Sequence, residues 1–334
     1  MKSLSRALIV AAAACLPLAA PAQDIKERTI KFAFQNQKGH PQAEGAQKFA
    51  DLVAQKSGNK ITVKLFPGGT LGGDLQTVSA LQGGTLEMTV LNAGILSAQV
   101  KEFGVFDLPF LFASPQEADA VTDGAFGKNL LARLNDKGLV GLGYWELGFR
   151  NLTNSKRPIT KVEDIAGLKI RVIQSPIYID MFNALGATAT PMPFPELYPA
   201  LEQKAVDGQE NPFTLIRTSK LYEVQKHLAV TRHVYNPQAV IVGKKLWDAL
   251  SAAEKKIVSD AVAEATTYQR QLSRTQADEA LAELKKSGMQ VTEFAPAEMQ
   301  RLRDKVKPVV DKHSAAIGEE TVKAVYAEIA KVRK

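Results

Sequence analysis

The chain predicts two α/β lobes braced by one long helix, and three observations carry that reading. Strand-like and helix-like segments alternate from residue 29 onward, the rhythm of βαβ units with parallel strands and right-handed crossovers. The alternation starts afresh near residue 140. Later, Ser251 to Ser287 runs 37 residues without Gly or Pro. At 334 residues the chain is long enough for two domains, each with its own core.

In chain order, "TIKFAF" (29–34) alternates apolar and polar residues as a strand does, and a helix follows across Gln42–Ser57. "ITVKLFP" (61–67) is the second strand, Leu75–Gln82 the second helix and "LEMTVLN" (86–92) the third strand. The glycine-rich "GGTLGGD" (68–74) between them reads as a tight turn; it lacks the Lys-Ser/Thr that completes a phosphate loop. The second series opens with "VGLGYWELGFR" (140–150) and continues through "GLKIRV" (167–172), a helix at Pro176–Leu185 and "TATPMPF" (188–194). Ser251–Ser287 is rich in Ala, Glu, Lys, Gln and Leu. As one helix it would be roughly 55 Å long at 1.5 Å per residue, more than the ~30–40 Å of one lobe. It is expected to span both lobes as a strut, with a kink near the β-branched Thr266 and Thr267.

At the N-terminus, Lys2 and Arg6 precede an apolar run from Ala7 to Ala20 and then Ala20-Pro21-Ala22, the pattern of a secretory signal peptide cleaved after Ala22. No other segment approaches the ~20 apolar residues of a membrane span. Cys15, the only cysteine, lies in the segment to be removed, so the mature chain is expected to hold no disulfide and no Cys-ligated metal. A lipoprotein anchored through Cys15 is the alternative, but the alanines before it lack the leucine such signals prefer. Removal of residues 1–22 lowers the net charge of +7 by two, because Lys2 and Arg6 are their only charged residues. The remaining excess is spread along helix faces with no nucleic-acid-binding signature, so nucleic acid is not an expected partner. A mild positive potential favours anionic small molecules.

Catalytic patterns are missing. His40, His227, His233 and His313 are dispersed, with no His-Glu-x-x-His spacing, nucleophile elbow or dinucleotide fingerprint. Glu196, Glu202, Asp207 and Glu210 are scattered acids of the kind usually solvated. No enzyme activity, cofactor or metal is expected.

Three stretches stand out: "ELGFRNLTNSKRPI" (146–159), "DIAGLKIRV" (164–172) and "TPMPFPELYPALEQKAVDGQENP" (190–212). Together with "LFPGGTLGGDLQTVSALQGGTLEMTV" and "FDLPFLF" (106–112) they resemble the DctP-type solute receptors of TRAP transporters, over about residues 24–330. The resemblance implies a two-lobe periplasmic binding protein fold, monomeric, with hinge strands and discontinuous lobes: 24–147 with 237–276, and 148–236 with 277–334. It also implies a receptor that closes on a small organic acid and hands it to a membrane permease driven by a sodium gradient. A periplasmic enzyme acting on a small carboxylate, and a receptor presenting its ligand to a sensor kinase, are the alternatives.

By period alone, Lys169 and Arg171 share the solvated face of a strand. The resemblance instead makes Arg171 the carboxylate clamp, a role suited to a planar guanidinium fork. It makes Arg150 a second arginine on the same carboxylate and Asn211 an amide beside it, although both residue types also serve turns. Gln35 and Asn92, at strand C-terminal ends, are expected to face the ligand's tail. Phe194 is expected to cover the ligand, with Phe213 or Trp145 as further aromatic walls or as plain core. Asp74 reads equally as a helix N-cap or a ligand contact. At the positions where the sialic acid-binding branch carries an acid and an arginine stand Asn92 and Ile95, which points to a monocarboxylate with hydroxyls or an apolar tail. Lys38 and His40 are the only evident second cations for a dicarboxylate, and read as a solvated loop.

Overall fold

The computed structural model describes residues 25–333. The expected signal peptide, with Cys15 and Ala22, lies outside the described residues.

Among the described residues, nine strands form one sheet: β1 (Arg28–Phe34), β2 (Ile61–Phe66), β3 (Met88–Asn92), β4 (Leu139–Asn154), β5 (Lys169–Val172), β6 (Thr188–Pro191), β7 (Gly208–Asn211), β8 (His227–Gly243) and β9 (Gln290–Glu293). The order is β2-β1-β3-β8-β4-β7-β5-β6, with β9 paired to β8. Strands β2, β1 and β3 are parallel, as are β7, β5 and β6, so each end of the sheet is built from the βαβ units expected.

The antiparallel pair β4 and β8 runs through both ends. Their register shifts three times, and the middle shift, between Glu146 and Gly148, lies opposite Asn236 and Pro237. A bulge leaves local backbone unpaired and bends the ribbon. This is where the chain passes from the β2-β1-β3 end to the β7-β5-β6 end.

The long helix is Ala252–Lys286, unbroken through Thr266 and Thr267, whose hydroxyls bond the carbonyls of Val262 and Ala263 one turn back. Ser251 and Glu254 form a reciprocal capping box. Glu254 also accepts from Arg28 Nε at 2.8 Å, fastening the helix start to β1. The first half packs on the helix Pro41–Lys56, with Ala261 and Ala265 in one core with Phe32, Phe49 and Trp145. The second half places Ala280 and Leu284 in another core with Leu201, Phe213 and Ile216. The expected strut is therefore observed. Between the halves, the Gln269 amide accepts from Glu146 N at 2.8 Å and donates to Glu146 O at 2.6 Å, gripping the β4 bulge. The C-terminal helices lie across the molecule: Pro296–Ile317 packs on Pro176–Ala184 and on residues 101–107, and Glu319–Ala330 on Pro115–Asp123.

Candidate ligand-binding site

The C-terminal ends of β1, β3, β5, β6 and β7 converge on one crevice, the place where open α/β sheets collect ligands. Gln35 and Asn36 lie at the end of β1, Asn92 closes β3 opposite Gln238 of β8, and Asp74 opens the helix Asp74–Gly83. Facing them are Arg171 of β5, Met192, Pro193 and Phe194 after β6, and Asn211 at the end of β7. The cavity at the bottom of the crevice measures about 30 Å³, the room of one or two waters.

Arg171 is 2% exposed. Its Nε and Nη2 donate to Met192 O at 3.1 and 2.7 Å, which fixes the guanidinium plane, while Nη1 has no hydrogen-bond partner. The ring of Phe194 lies 5.9 Å from its central carbon. Burial, with Arg150 adding to it and Glu210 opposing, pulls its pKa down to about 10. Arg171 thus lines the cavity as a desolvated guanidinium with an unpaired N–H, the kind of group an anion can satisfy.

The opposite wall carries oxygens. Gln35 Nε2 donates to Gly72 O at 3.1 Å, leaving Gln35 Oε1 without a partner. Asn92 Oδ1, Gln238 Oε1 and Asp74 Oδ1 are likewise buried and unpartnered. Asp74 is the first residue of its helix and Gly73 the N-cap, so of the two readings for Asp74 the capping role is excluded. Burial raises its carboxyl to about 6 against the opposing charge of Arg171.

Three expected wall residues stand elsewhere. Arg150 is wholly buried behind the cavity: Nε and Nη2 donate to Glu210 at 2.5 and 2.7 Å, and Nη1 to Asn236 Oδ1 at 2.9 Å. Burial works against the Arg150 charge, and the Glu210 carboxylate more than offsets it, so the pKa moves up. Trp145 donates its indole N–H to Thr266 Oγ1 at 3.1 Å and packs on Phe32, where it anchors the long helix. Phe213 belongs to the core with Leu197 and Leu284, and Leu215 lines the cavity instead.

The remaining expectations fall as follows. Phe194, Gln35, Asn92, Ile95 and Asn211 line the cavity, and Asn211 Nδ2 donates to Gln209 Oε1 at 2.6 Å. His40 is not solvated: it is buried as the N-cap of Pro41–Lys56, its Nδ1 accepting from Gln42 N at 3.0 Å. Burial depresses its pKa to about 3, so it stays neutral and supplies no second cation. Lys38 is exposed. Gln238 and Gln174 were missed. Gln238 enters through the pairing of β3 with β8, which no local pattern announces, whereas Gln174, just past the end of β5, could have been found by the same strand-end rule that singled out Gln35.

Among the described residues, no cluster of three or more His, Cys, Asp or Glu is placed to hold a metal, and no helix is long and apolar enough to cross a membrane.

Comparisons with known proteins agree with this geometry. Residues 32–316 match the DctP model, described as bacterial extracellular solute-binding protein, family 7. The C4-dicarboxylate-binding periplasmic protein DctP of Rhodobacter capsulatus is 36% identical over 97% of both chains. The sugar acid binding protein DctPAm of Advenella mimigardefordensis, solved with galactonate, is 44% identical with a TM-score of 0.91, covering 93% of this chain and all of that one. A TRAP periplasmic solute binding protein from Ochrobactrum anthropi is 61% identical with a TM-score of 0.82, covering 93% of this chain and 97% of that one. Arg171, the cleft between two α/β walls and a family match over most of the chain converge: this protein belongs to the DctP family of bacterial extracellular solute-binding proteins, the TRAP-type receptors.

Proposed function

We propose that this receptor captures a small organic acid between its lobes, with Arg171 holding the carboxylate, and delivers it to a membrane permease without altering it. The observation that carries the reading is the unpartnered Nη1 of the buried Arg171. A carboxylate meeting that N–H repairs an unsatisfied buried charge, which is a strong source of affinity. Asn211 stands beside the clamp. Arg150 and Glu210 form the floor behind it and keep Asn211 and β7 in register with β4. The ligand class is a hydroxy acid, sugar acid or aromatic carboxylate, and the galactonate held by the Advenella protein supports an acid of this size.

The lobes divide as 24–147 with 237–276 and 148–236 with 277–334, the C-terminal helices lying across both. Closure turns on the bulge at Glu146–Gly148 opposite Asn236–Pro237. The test is to incubate the mature protein with candidate acids and recover them for mass spectrometry and NMR. One unchanged ligand per chain is expected; chemical conversion would show an enzyme instead.

A further inference from the structure

We infer that Asp107 is a proton-binding site coupled to the cleft, so that capture of an anionic solute takes up a proton behind the cavity. This rests on the receptor reading above and adds to it a second ligand, the proton. Asp107 closes the helical turn Lys101–Asp107 and sits in the seam between the two walls. On one side lies Gly94, beside the cavity residue Ile95 that follows β3; a Cβ on Gly94 would come within 2.0 and 2.3 Å of the two carboxyl oxygens. Across the seam stands Ser175, beside the cavity residue Gln174 and at the start of the helix Pro176–Ala184. The Asp107 carboxyl is wholly buried, and neither oxygen has a hydrogen-bond partner.

An ionised Asp107 has no cation of its own there. Arg150 of β4 is the cation beside it, but that guanidinium holds both oxygens of Glu210, on which His233 of β8 also rests. Tyr178, on the helix Pro176–Ala184, gives its hydroxyl to Asn236 Oδ1 at 3.2 Å. Other charges on the packed helices are engaged elsewhere: Asp180 with Lys312 and His313, and Lys101 with Ala316 O. Residues 93–98 bring no titratable group, and the helix Glu319–Ala330 buries Val322, Val325 and Ile329. Burial therefore prevails and lifts Asp107 to about 7, where one more charge decides its state. A solute carboxylate on Arg171 brings that charge, and a like charge in a desolvated site disfavours the ionised form. Well below pH 7 Asp107 is protonated with or without solute, and binding moves no proton at this site. Above pH 7 the unliganded protein has lost the proton and the liganded one still binds it, so affinity falls as pH rises. Asp74, in the cavity itself, is the competing acid and starts from a lower value, about 6.

The experiment is calorimetric titration of the mature protein in HEPES and in Tris, whose different heats of protonation count the protons taken up per solute. The probe is whichever of D-galactonate, D-erythronate and succinate binds most tightly. Wild type is expected to take up roughly half a proton at pH 8 and to lose about tenfold in affinity between pH 6 and pH 9, the equivalent of a one-unit rise in the Asp107 pKa on binding. Asp107→Asn is expected to bind the same probe with uptake near zero at pH 8, whereas Asp74→Asn keeps the uptake. Difference infrared spectroscopy of wild type reads the same event without a substitution: adding the probe at pH 8 should raise the band of a protonated carboxyl. Binding by wild type with no proton uptake at pH 8 would overturn the inference and leave the receptor reading standing. Uptake that survives Asp107→Asn and disappears in Asp74→Asn would overturn it too, by moving the proton to the cavity acid. No binding of any of the three acids at either pH would contradict the receptor reading, and this inference with it.

Discussion

Arg150 and Glu210 face each other from β4 and β7 with Nε and Nη2 at 2.5 and 2.7 Å from the two carboxylate oxygens, and neither residue reaches the cavity. His233 Nε2 lies 3.0 Å from the same carboxylate. A buried pair of this kind is costly to break from one side, because the surviving charge is left without a partner.

Arg150→Ala is therefore expected to destabilise the unliganded protein by about 3–5 kcal/mol, read by urea unfolding. If Arg150→Ala instead kept full stability and lost only ligand affinity, Arg150 would be a ligand contact, as the sequence resemblance implied.

Asp107 is fully buried, neither carboxylate oxygen has a partner, and burial pushes its pKa up to about 7. The folded state then binds a proton that the unfolded state releases near pH 4, so Asp107 contributes stability in acid that is lost as pH rises through 7. Asp107→Asn is expected to unfold at a higher temperature than wild type at pH 8. The gap, on the order of 4 kcal/mol at full development, should narrow toward pH 5. Parallel pH profiles for the two proteins would contradict this.

The loops 68–73 and 193–195 touch across the cleft, and glycine permits the approach. A Cβ on Gly73 would lie 3.0 Å from Pro193 Cβ, and one on Gly69, at φ +69°, 2.5 Å from Pro195 Cγ. Gly73 has an extended backbone at φ −72°, so Gly73→Ala strains only the contact between walls. Overpacking of about 1–3 kcal/mol should weaken ligand affinity by roughly fivefold to a hundredfold. Thermal unfolding without ligand should change little. Unaltered affinity would show that the loops do not meet when ligand is bound.

The βαβ order and the long helix were legible because each rests on local signals: alternation, helical spacing and the Ser251–Glu254 cap. Period two puts Arg171 on the solvated face of β5 with Lys169, yet Arg171 is buried where the crevice covers the strand end, and only the resemblance singled it out. Arg150 and Trp145 lie on β4, where register shifts at Gly141/Gly143, Glu146/Gly148 and Arg150/Leu152 reset the alternation, so period two no longer tells which side chain faces the cleft. Phe213 and Leu215 are two residues apart on a helix and point about 200° apart, so choosing one turns the other away. His40 looked like a loop residue because a cap before proline is visible only once the helix is in place.

Titration calorimetry of Arg171→Ala with the best ligand of wild type tests the central claim most directly. Removing the guanidinium gives up its two bonds to Met192 O but also takes away a buried charge whose Nη1 has no partner, so the unliganded fold should stay intact. Affinity should fall by about a hundredfold to a few thousandfold, the equivalent of about 3–5 kcal/mol. A variant that is folded and binds within threefold of wild type would contradict the account and return Arg171 to a structural part in β5.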